Sequence, residues 1–274
     1  VATVLSYTNG QRGYPSIVRH VLNEGLPRSP RGNPTLDAGC VVIELSTPAH
    51  ALPLGCGRNL SKNVAVAEAI QLIGGFHDPA MMIRASDNFT SFMDDGKFHG
   101  AYGGRIKSQT IDVVHKLKVD SESRQAIITL WDPALDNIMG MHDYPCTVML
   151  QFEVIAKRLC MTTVMRSNDV WLGLPYDLFQ FTQLQWTVAK ALGYRPGAYR
   201  HVALSLHIYE ANVEAAEKLY DPTDFAFQPQ GIGVPNDPFL TTLTRARNLA
   251  GNIQPEDETI SERWYREQLA TFMG

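Results

Sequence analysis

Between residues 126 and 209 the chain alternates strand-like segments with one long helical one, and that order limits the folds open to it. "AIITLW" (126–131), "TVMLQFEVI" (147–155), "LCMTTVM" (159–165) and "HVALSLHIY" (201–209) are rich in Val, Ile and Thr and bounded by polar residues, as strands are. "CVVIEL" (40–45) reads the same way upstream. Between the last two strands lies "DLFQFTQLQWTVAKALG" (177–193), where Leu178, Phe181, Leu184, Val188 and Leu192 recur at helical steps and Gly193 marks the stop. "SKNVAVAEAIQLIGG" (61–75) predicts a second apolar helix, opened by a Ser61 cap and closed by paired glycines. Strands gathered late, with helices before and between them, predict an α+β fold: a mixed sheet covered by helices on one face. The other face then needs a partner, and stacking two such sheets across a dimer axis would supply one.

The chain has 274 residues, and no Pro/Gly/Ser-rich linker or charge run divides it, so a single domain over 1–274 is expected. Formal net charge is −4 and no stretch is densely basic, which speaks against a nucleic-acid surface; an anionic small molecule would need local arginines instead. Cys40, Cys56, Cys146 and Cys160 form no CxxC pair and have no His cluster at metal spacing, so neither a metal site nor a disulfide framework is expected. Free thiols suit a reducing cytoplasm. No apolar run approaches transmembrane length and no basic segment precedes an apolar one near residue 1, so neither membrane insertion nor secretion is expected.

Several residues could carry chemistry, each with a plainer alternative. Cys146 follows a proline at the mouth of a strand; it is either a small buried hydrophobe or, with a cation such as Arg166 nearby, a nucleophile. Cys40, Cys56 and Cys160 lack such a neighbour and read as structural. Arg124, Arg166 and Ser167 can donate to a phosphate, as can Arg28 and Arg31 in the loop "RSPRGNPT" (28–35); singly, each could equally be a solvated surface group. Glu68, Asp169 and Asp177 are candidate acid/base or base-recognition carboxylates, against an exposed helix face for Glu68 and helix capping for the aspartates. His207 and Tyr209 alternate on one strand face, where they could bind a sugar hydroxyl or simply complete a core.

In order, the chain carries "PC", then "QF" five residues past the cysteine, then "RSND", "LGLPY", "RPGAYRHV" and "LHIY". This series resembles the thymidylate synthase family, whose pattern runs PCH, QF, RSxD, LGLPFN, PGxxxH and HxY. The likeness is continuous from about Ser123 to Tyr209, thinner upstream in "GAYGGR" (100–105), the "AEAIQLIGG" helix and the "PRG" loop, and lost beyond about residue 215. The resemblance implies a mixed sheet with helices that dimerises by sheet stacking, acting on a pyrimidine nucleotide monophosphate with 5,10-methylenetetrahydrofolate. It makes Cys146 the nucleophile toward carbon 6 and Arg166, Ser167 and Arg31 the phosphate ligands, with Arg28 competing for the last place. It makes Arg124 a phosphate arginine lent across the dimer, Glu68 the organiser of water and protons, Asp169 and Gly173 folate-side residues, and His207 and Tyr209 the pair on the sugar 3′-hydroxyl.

The departures carry more information. The family's synthases have asparagine where this chain has Asp177, eleven residues past Arg166. An amide donates once and accepts once, matching the carbonyl and ring N–H of uracil; an ionised carboxylate only accepts, matching the amino group and protonated ring nitrogen of cytosine. Thr147 replaces the histidine after the nucleophile, as in the deoxycytidylate hydroxymethylase branch, and "ASDNFTSFMDD" (85–95) has no tryptophan against the folate, only Phe89 and Phe92. Gln125 stands where synthases have a second arginine. Asp177, Thr147 and the missing tryptophan predict a (deoxy)cytidylate 5-hydroxymethylase, with dCMP or CMP as substrate. The rivals are a methyltransferase making thymidylate or 5-methyl-dCMP and a non-catalytic nucleotide- or RNA-binding relative.

Overall fold

The computed structural model describes residues 2–76 and 79–222. Most of the segment beyond about residue 215, where the resemblance fades, lies outside the described residues. The chain runs β1 (Thr3–Tyr7), α1 (Gly10–Glu24), β2 (Leu26–Arg28), β3 (Thr35–Asp37), β4 (Val41–Leu45), α2 (Lys62–Gly74), α3 (Ala80–Ala85) and α4 (Tyr102–Val119). It continues through β5 (Ile127–Thr129), α5 (Pro133–Asp136), β6 (Thr147–Ile155), β7 (Arg158–Met165), β8 (Asn168–Asp169), α6 (Leu174–Leu192), β9 (Arg195–Ala203), β10 (Leu206–Tyr209) and α7 (Val213–Ala216).

Six strands form a mixed sheet in the order β1-β4-β9-β7-β6-β5, and β2-β3-β10-β8 form a second, smaller sheet. The mixed sheet and its helices are as expected; the second sheet is a correction. The segment 201–209 is two strands, because β9 ends at Ala203 in the large sheet and β10 starts at Leu206 in the small one. Leu204, between them, is half exposed. Likewise 126–131 shrinks to β5, three residues paired with β6.

Alternation sorts the large sheet into two faces. On β9, Tyr199, His201 and Ala203 point into the core, and Arg200 and Val202 point the other way. The core face meets α6 through Leu178, Phe181, Leu184 and Val188, all buried. Removing each such side chain from water stabilises the fold by about 1.5 to 3 kcal/mol. The opposite face stays partly open: Val4 is exposed, Val42, Val164 and Val202 are half-buried, and Arg200 bridges Glu44 and Glu153.

Ser61 caps α2 by accepting from the Val64 N–H, and Gly75, in the left-handed region, ends it. Helix α6 ends on left-handed Gly193 but starts at Leu174, three residues before Asp177. Asp177 is therefore inside the first turn, not at the cap, and its side chain is free for other partners. Among the described residues no helix is long and apolar enough to cross a membrane, and no group of three His, Cys, Asp or Glu side chains could hold a metal ion.

Candidate active site

The antiparallel pairing of β6 with β7 brings residues twenty apart to one place. Cys146 precedes β6 and Arg166 follows β7, and the Arg166 N–H donates to the Cys146 carbonyl at 2.8 Å. A register shift between Thr147 and Met149 marks a bulge at this mouth, the kind of irregularity that re-aims a neighbouring side chain. The Arg166 guanidinium donates from Nε to the Pro145 carbonyl at 3.0 Å, lies 3.9 Å from Cys146 Sγ through Nη2 and sits 5.6 Å from the Trp131 ring. Burial pushes the Cys146 thiol up, and Arg166, with Arg31 behind it, pulls it back toward the thiolate.

Beyond Arg166 opens a cleft of about 760 Å³ that gathers Arg28, Arg31, Arg166, Ser167, His207 and Tyr209. Arg28 is occupied, paired to Asp37 at 2.9 Å, and Asp37 also accepts from Ser205 Oγ at 2.9 Å. Arg31, held in the left-handed region (φ 54°), has no hydrogen-bond or ion partner among the described residues. Ser167 Oγ lies 3.5 Å from His207 Nδ1, and the His207 and Tyr209 rings meet edge-on at 5.5 Å, so the two do share a face. Arg124 is brought into no such group: it is exposed on the loop before β5 and does not line the cleft. Gln125 beside it is exposed as well.

Deeper, α2 and α6 pack together and present two carboxyls. Asp177 is buried; its Oδ2 accepts from Asn168 Nδ2 at 2.7 Å and its Oδ1 from Gln180 Nε2 at 3.0 Å. Burial raises its pKa to about 7, against the pull of those two donors. Gln180 also reaches Glu68 Oε2 at 3.5 Å, and Glu68 is raised well above the usual carboxylate range, by burial first and by the Asp177 charge second. Gly173 lies against this pair: a Cβ there would sit 3.1 Å from Asn168 Nδ2 and 3.2 Å from Asp177 Oδ2, so the glycine leaves room for their contact. Asp169 caps the turn before α6, its Oδ1 accepting from the N–H groups of Trp171 (2.7 Å) and Leu172 (2.9 Å). Its Oδ2 is buried without a partner, and burial raises this carboxyl.

Two groups escaped the reading of the sequence. Tyr102 is stacked on Phe181 and its hydroxyl accepts from the Thr147 N–H at 3.3 Å; Cys146 and Asp177, both close by, add to the burial that raises it. Its signal was present, inside "GAYGGR", but no residue type there separates a catalytic tyrosine from a packed one. Asn168 is the other, and nothing in its position announces that it would meet Asp177. In the segment without tryptophan, Phe89 lies in a short 3-10 turn, 6.5 Å from Phe92 and 6.3 Å from Phe98 between ring centres.

The family model described as thymidylate synthase matches residues 12–230. The chain is 31% identical over 214 residues to the deoxyuridylate hydroxymethyltransferase of Bacillus phage SP01, covering 72% of this chain and 56% of that protein. It is 27% identical over 275 residues to the deoxyuridylate hydroxymethyltransferase of Pseudomonas phage M6, covering 97% and 76%. To the thymidylate synthase of Bacillus licheniformis it is 32% identical over 133 residues, 44% of this chain and 47% of that one. The chain thus spans little more than half the length of the SP01 relative. Ordered motifs, a mixed sheet with Cys146 and Arg166 at its mouth and a family match over most of the chain agree: this chain belongs to the thymidylate synthase family, whose members take their one-carbon unit from methylenetetrahydrofolate.

Proposed function

We propose that the chain transfers a one-carbon unit to carbon 5 of a cytosine nucleotide, dCMP or CMP, and hydrates it to 5-hydroxymethyl-(d)CMP. One observation carries the choice of base: both oxygens of Asp177 already accept amide N–H bonds, from Asn168 and Gln180. Two donors favour the ionised form, and the lone pairs left over can only accept. A cytosine amino group and its protonated ring nitrogen supply two donors to such an edge; a uracil carbonyl would face it unpaired.

In this reading Arg31, Arg166 and Ser167 hold the phosphate, with Arg124 reaching in from a second copy stacked on the open sheet face. His207 and Tyr209 hold the sugar. Cys146, its thiolate favoured by Arg166, adds to carbon 6, while Asp177 keeps the ring nitrogen protonated as charge develops. With a pKa raised to about 7, Asp177 can hold or release that proton near neutrality. Methylenetetrahydrofolate supplies the carbon at the methylene level, and the unpartnered Oδ2 of Asp169 fits an N–H donor of its ring system. Gly173 acts through the room it leaves Asp177. Glu68, raised above the usual carboxylate range, positions the water that adds to the exocyclic methylene, once the carbon 5 proton and the folate amine have left, as Cys146 departs from carbon 6.

A second reading, hydroxymethylation of dUMP, is favoured by the names of the two phage relatives. A protonated Asp177 offers one donor and one acceptor, as an amide does, and would suit uracil. Incubation with dCMP, CMP and dUMP plus methylenetetrahydrofolate, followed by mass analysis, decides between them. The cytosine reading expects a hydroxymethyl gain on dCMP or CMP, and Asp177→Asn to move activity to dUMP, with a loss on the cytosine nucleotide of about 5- to 150-fold, equivalent to about 1 to 3 kcal/mol. A methyl product, or turnover of dUMP alone, would overturn it.

A further inference from the structure

Behind Asn168 a line of buried polar groups runs back through the sheet. Asn168 Oδ1 lies 2.9 Å from His201 Nε2, His201 Nδ1 lies 2.9 Å from the Tyr199 hydroxyl, and that hydroxyl lies 3.0 Å from Thr163 Oγ1. Thr163, Tyr199 and His201 are fully buried and Asn168 nearly so. All four have their polar atoms paired along this line, although a sheet core of this kind would pack as well with apolar residues.

Each hydrogen bond in the line has a direction, and the directions are coupled. An ionised Asp177 can only accept, so Asn168 must turn its N–H₂ toward it and its carbonyl toward His201. His201 must then donate from Nε2, which leaves Nδ1 to accept from the Tyr199 hydroxyl. The Tyr199 hydroxyl lies within reach of both Nδ1 (2.9 Å) and Thr163 Oγ1 (3.0 Å) and has one proton, which goes to Nδ1 in this arrangement and to Thr163 in the reverse one. The reverse arrangement needs a protonated Asp177, a flipped amide and the other histidine tautomer. An ionised Asp177 therefore fixes the roles along the line, and a proton on Asp177 is what would permit the reverse.

We propose that His201 is a specificity-determining positioning residue: by donating from Nε2 to Asn168 Oδ1 it fixes the amide so that Asn168 donates to Asp177, keeping Asp177 an acceptor toward the base. This rests on the cytosine reading above and extends it to a residue that lies wholly inside the core. The imidazole is suited to the part, because burial lowers its pKa to about 3 and it stays neutral with one N–H to direct. The other groups around Asp177 do not substitute for it. The Asp177 charge bears on Glu68 from α2, Tyr102 from α4, Tyr199 from β9 and Cys146 at the mouth of β6, and none of them donates a hydrogen bond to it. Gln180 donates to the other oxygen.

The test compares His201→Phe, His201→Gln and Tyr199→Phe with the wild-type protein, each confirmed folded by circular dichroism. A carbon-13 titration of Asp177 in the unliganded protein, assigned with Asp177→Asn, reads its ionisation, and kcat/KM for dCMP and dUMP against pH reads its effect. In His201→Phe the Asp177 titration should move to higher pH, and the dCMP to dUMP ratio at neutral pH should fall about tenfold, the size of one misdirected buried hydrogen bond. Tyr199→Phe, which frees the tautomer without emptying the site, should shift both in the same direction by less. His201→Gln, whose amide can donate from the same place, should recover much of what phenylalanine loses. An unchanged Asp177 titration in the folded His201→Phe or Tyr199→Phe protein overturns the proposal. Wild-type turnover of dUMP alone would instead overturn the cytosine reading, and the titration would still decide the link between His201 and Asp177.

Discussion

Glu68 and Asp177 are tied to one amide: Gln180 Nε2 stands 3.0 Å from Asp177 Oδ1 and 3.5 Å from Glu68 Oε2. The two carboxyls come from α2 and α6 and cannot both ionise cheaply in one buried place. Glu68 is raised well above the usual carboxylate range by burial and then by the Asp177 charge, and Asp177 is itself raised to about 7 by burial. Glu68→Gln keeps the shape and removes that titration. We expect kcat to fall by about 10²- to 10⁴-fold, the usual worth of a positioned acid or base, with the nucleotide KM little changed. Steady-state kinetics with dCMP checks this, and an equal loss in binding would assign Glu68 to packing instead.

The thiol is poised between burial and Arg166. Removing the guanidinium in Arg166→Ala leaves only Arg31 to oppose burial, so the Cys146 pKa should rise further above its ordinary value. The rate of Cys146 alkylation by iodoacetamide, followed against pH, should shift to higher pH in the variant and be absent in Cys146→Ala. Superimposable profiles would mean that the 3.9 Å approach of Arg166 Nη2 to Sγ has no electrostatic consequence.

Arg28, at the end of β2, and Arg31, three residues on, differ in what they touch. Arg28 is paired with Asp37, itself buried, whereas Arg31 is unpartnered among the described residues and lines the cleft. Arg31→Ala should therefore weaken nucleotide binding by about 10- to 100-fold, the loss of one charge-assisted hydrogen bond, and leave binding of the nucleoside unchanged. Calorimetry with dCMP and deoxycytidine separates the two. A uniform loss for both ligands would place Arg31 in loop structure.

Much of this was legible in the sequence because chemistry and periodicity coincide there. The strands at 147–155 and 159–165 and the helix through Leu178, Phe181 and Leu184 declare themselves by spacing, and Cys146 and Arg166 meet because those strands pair. Helix α1 was not read from the sequence, and its Gly10, Gly13 and Pro15 are residues that ordinarily weaken a helix. At Gly10 a Cβ would stand 2.4 Å from the Ala51 carbonyl oxygen, and at Gly13 2.6 Å from the Tyr7 ring, so these glycines serve packing. The break at 204–205 carries no glycine or proline, and only the pairing of β10 with β3 and β8 reveals it. Asn168 and His201 stand inside the quoted motifs RSND and RPGAYRHV, but their link to Asp177 was hidden for a different reason. Their importance lies in contacts between separate elements, and no local period records such contacts.

Two buried groups pull the stability of this protein in opposite directions with pH. His201 has a folded pKa of about 3 against an ordinary 6.5, so its contribution is complete above about pH 6.5 and is lost as pH falls toward 3. Asp177 has a folded pKa of about 7 against an ordinary 3.8, so its contribution is complete below about pH 3.8 and is lost as pH rises through 7. Between about pH 4 and 6.5 the unfolded chain takes up a proton at His201 while the folded one retains a proton at Asp177, and the two dependences offset. Asp177→Asn removes only the second. Its stability should then fall more steeply than wild type on acidification through that window, by up to about 1.4 kcal/mol per pH unit for one uncompensated proton. Urea unfolding at several pH values measures this directly; parallel stability curves for the two proteins would show that Asp177 and His201 do not titrate as their burial requires.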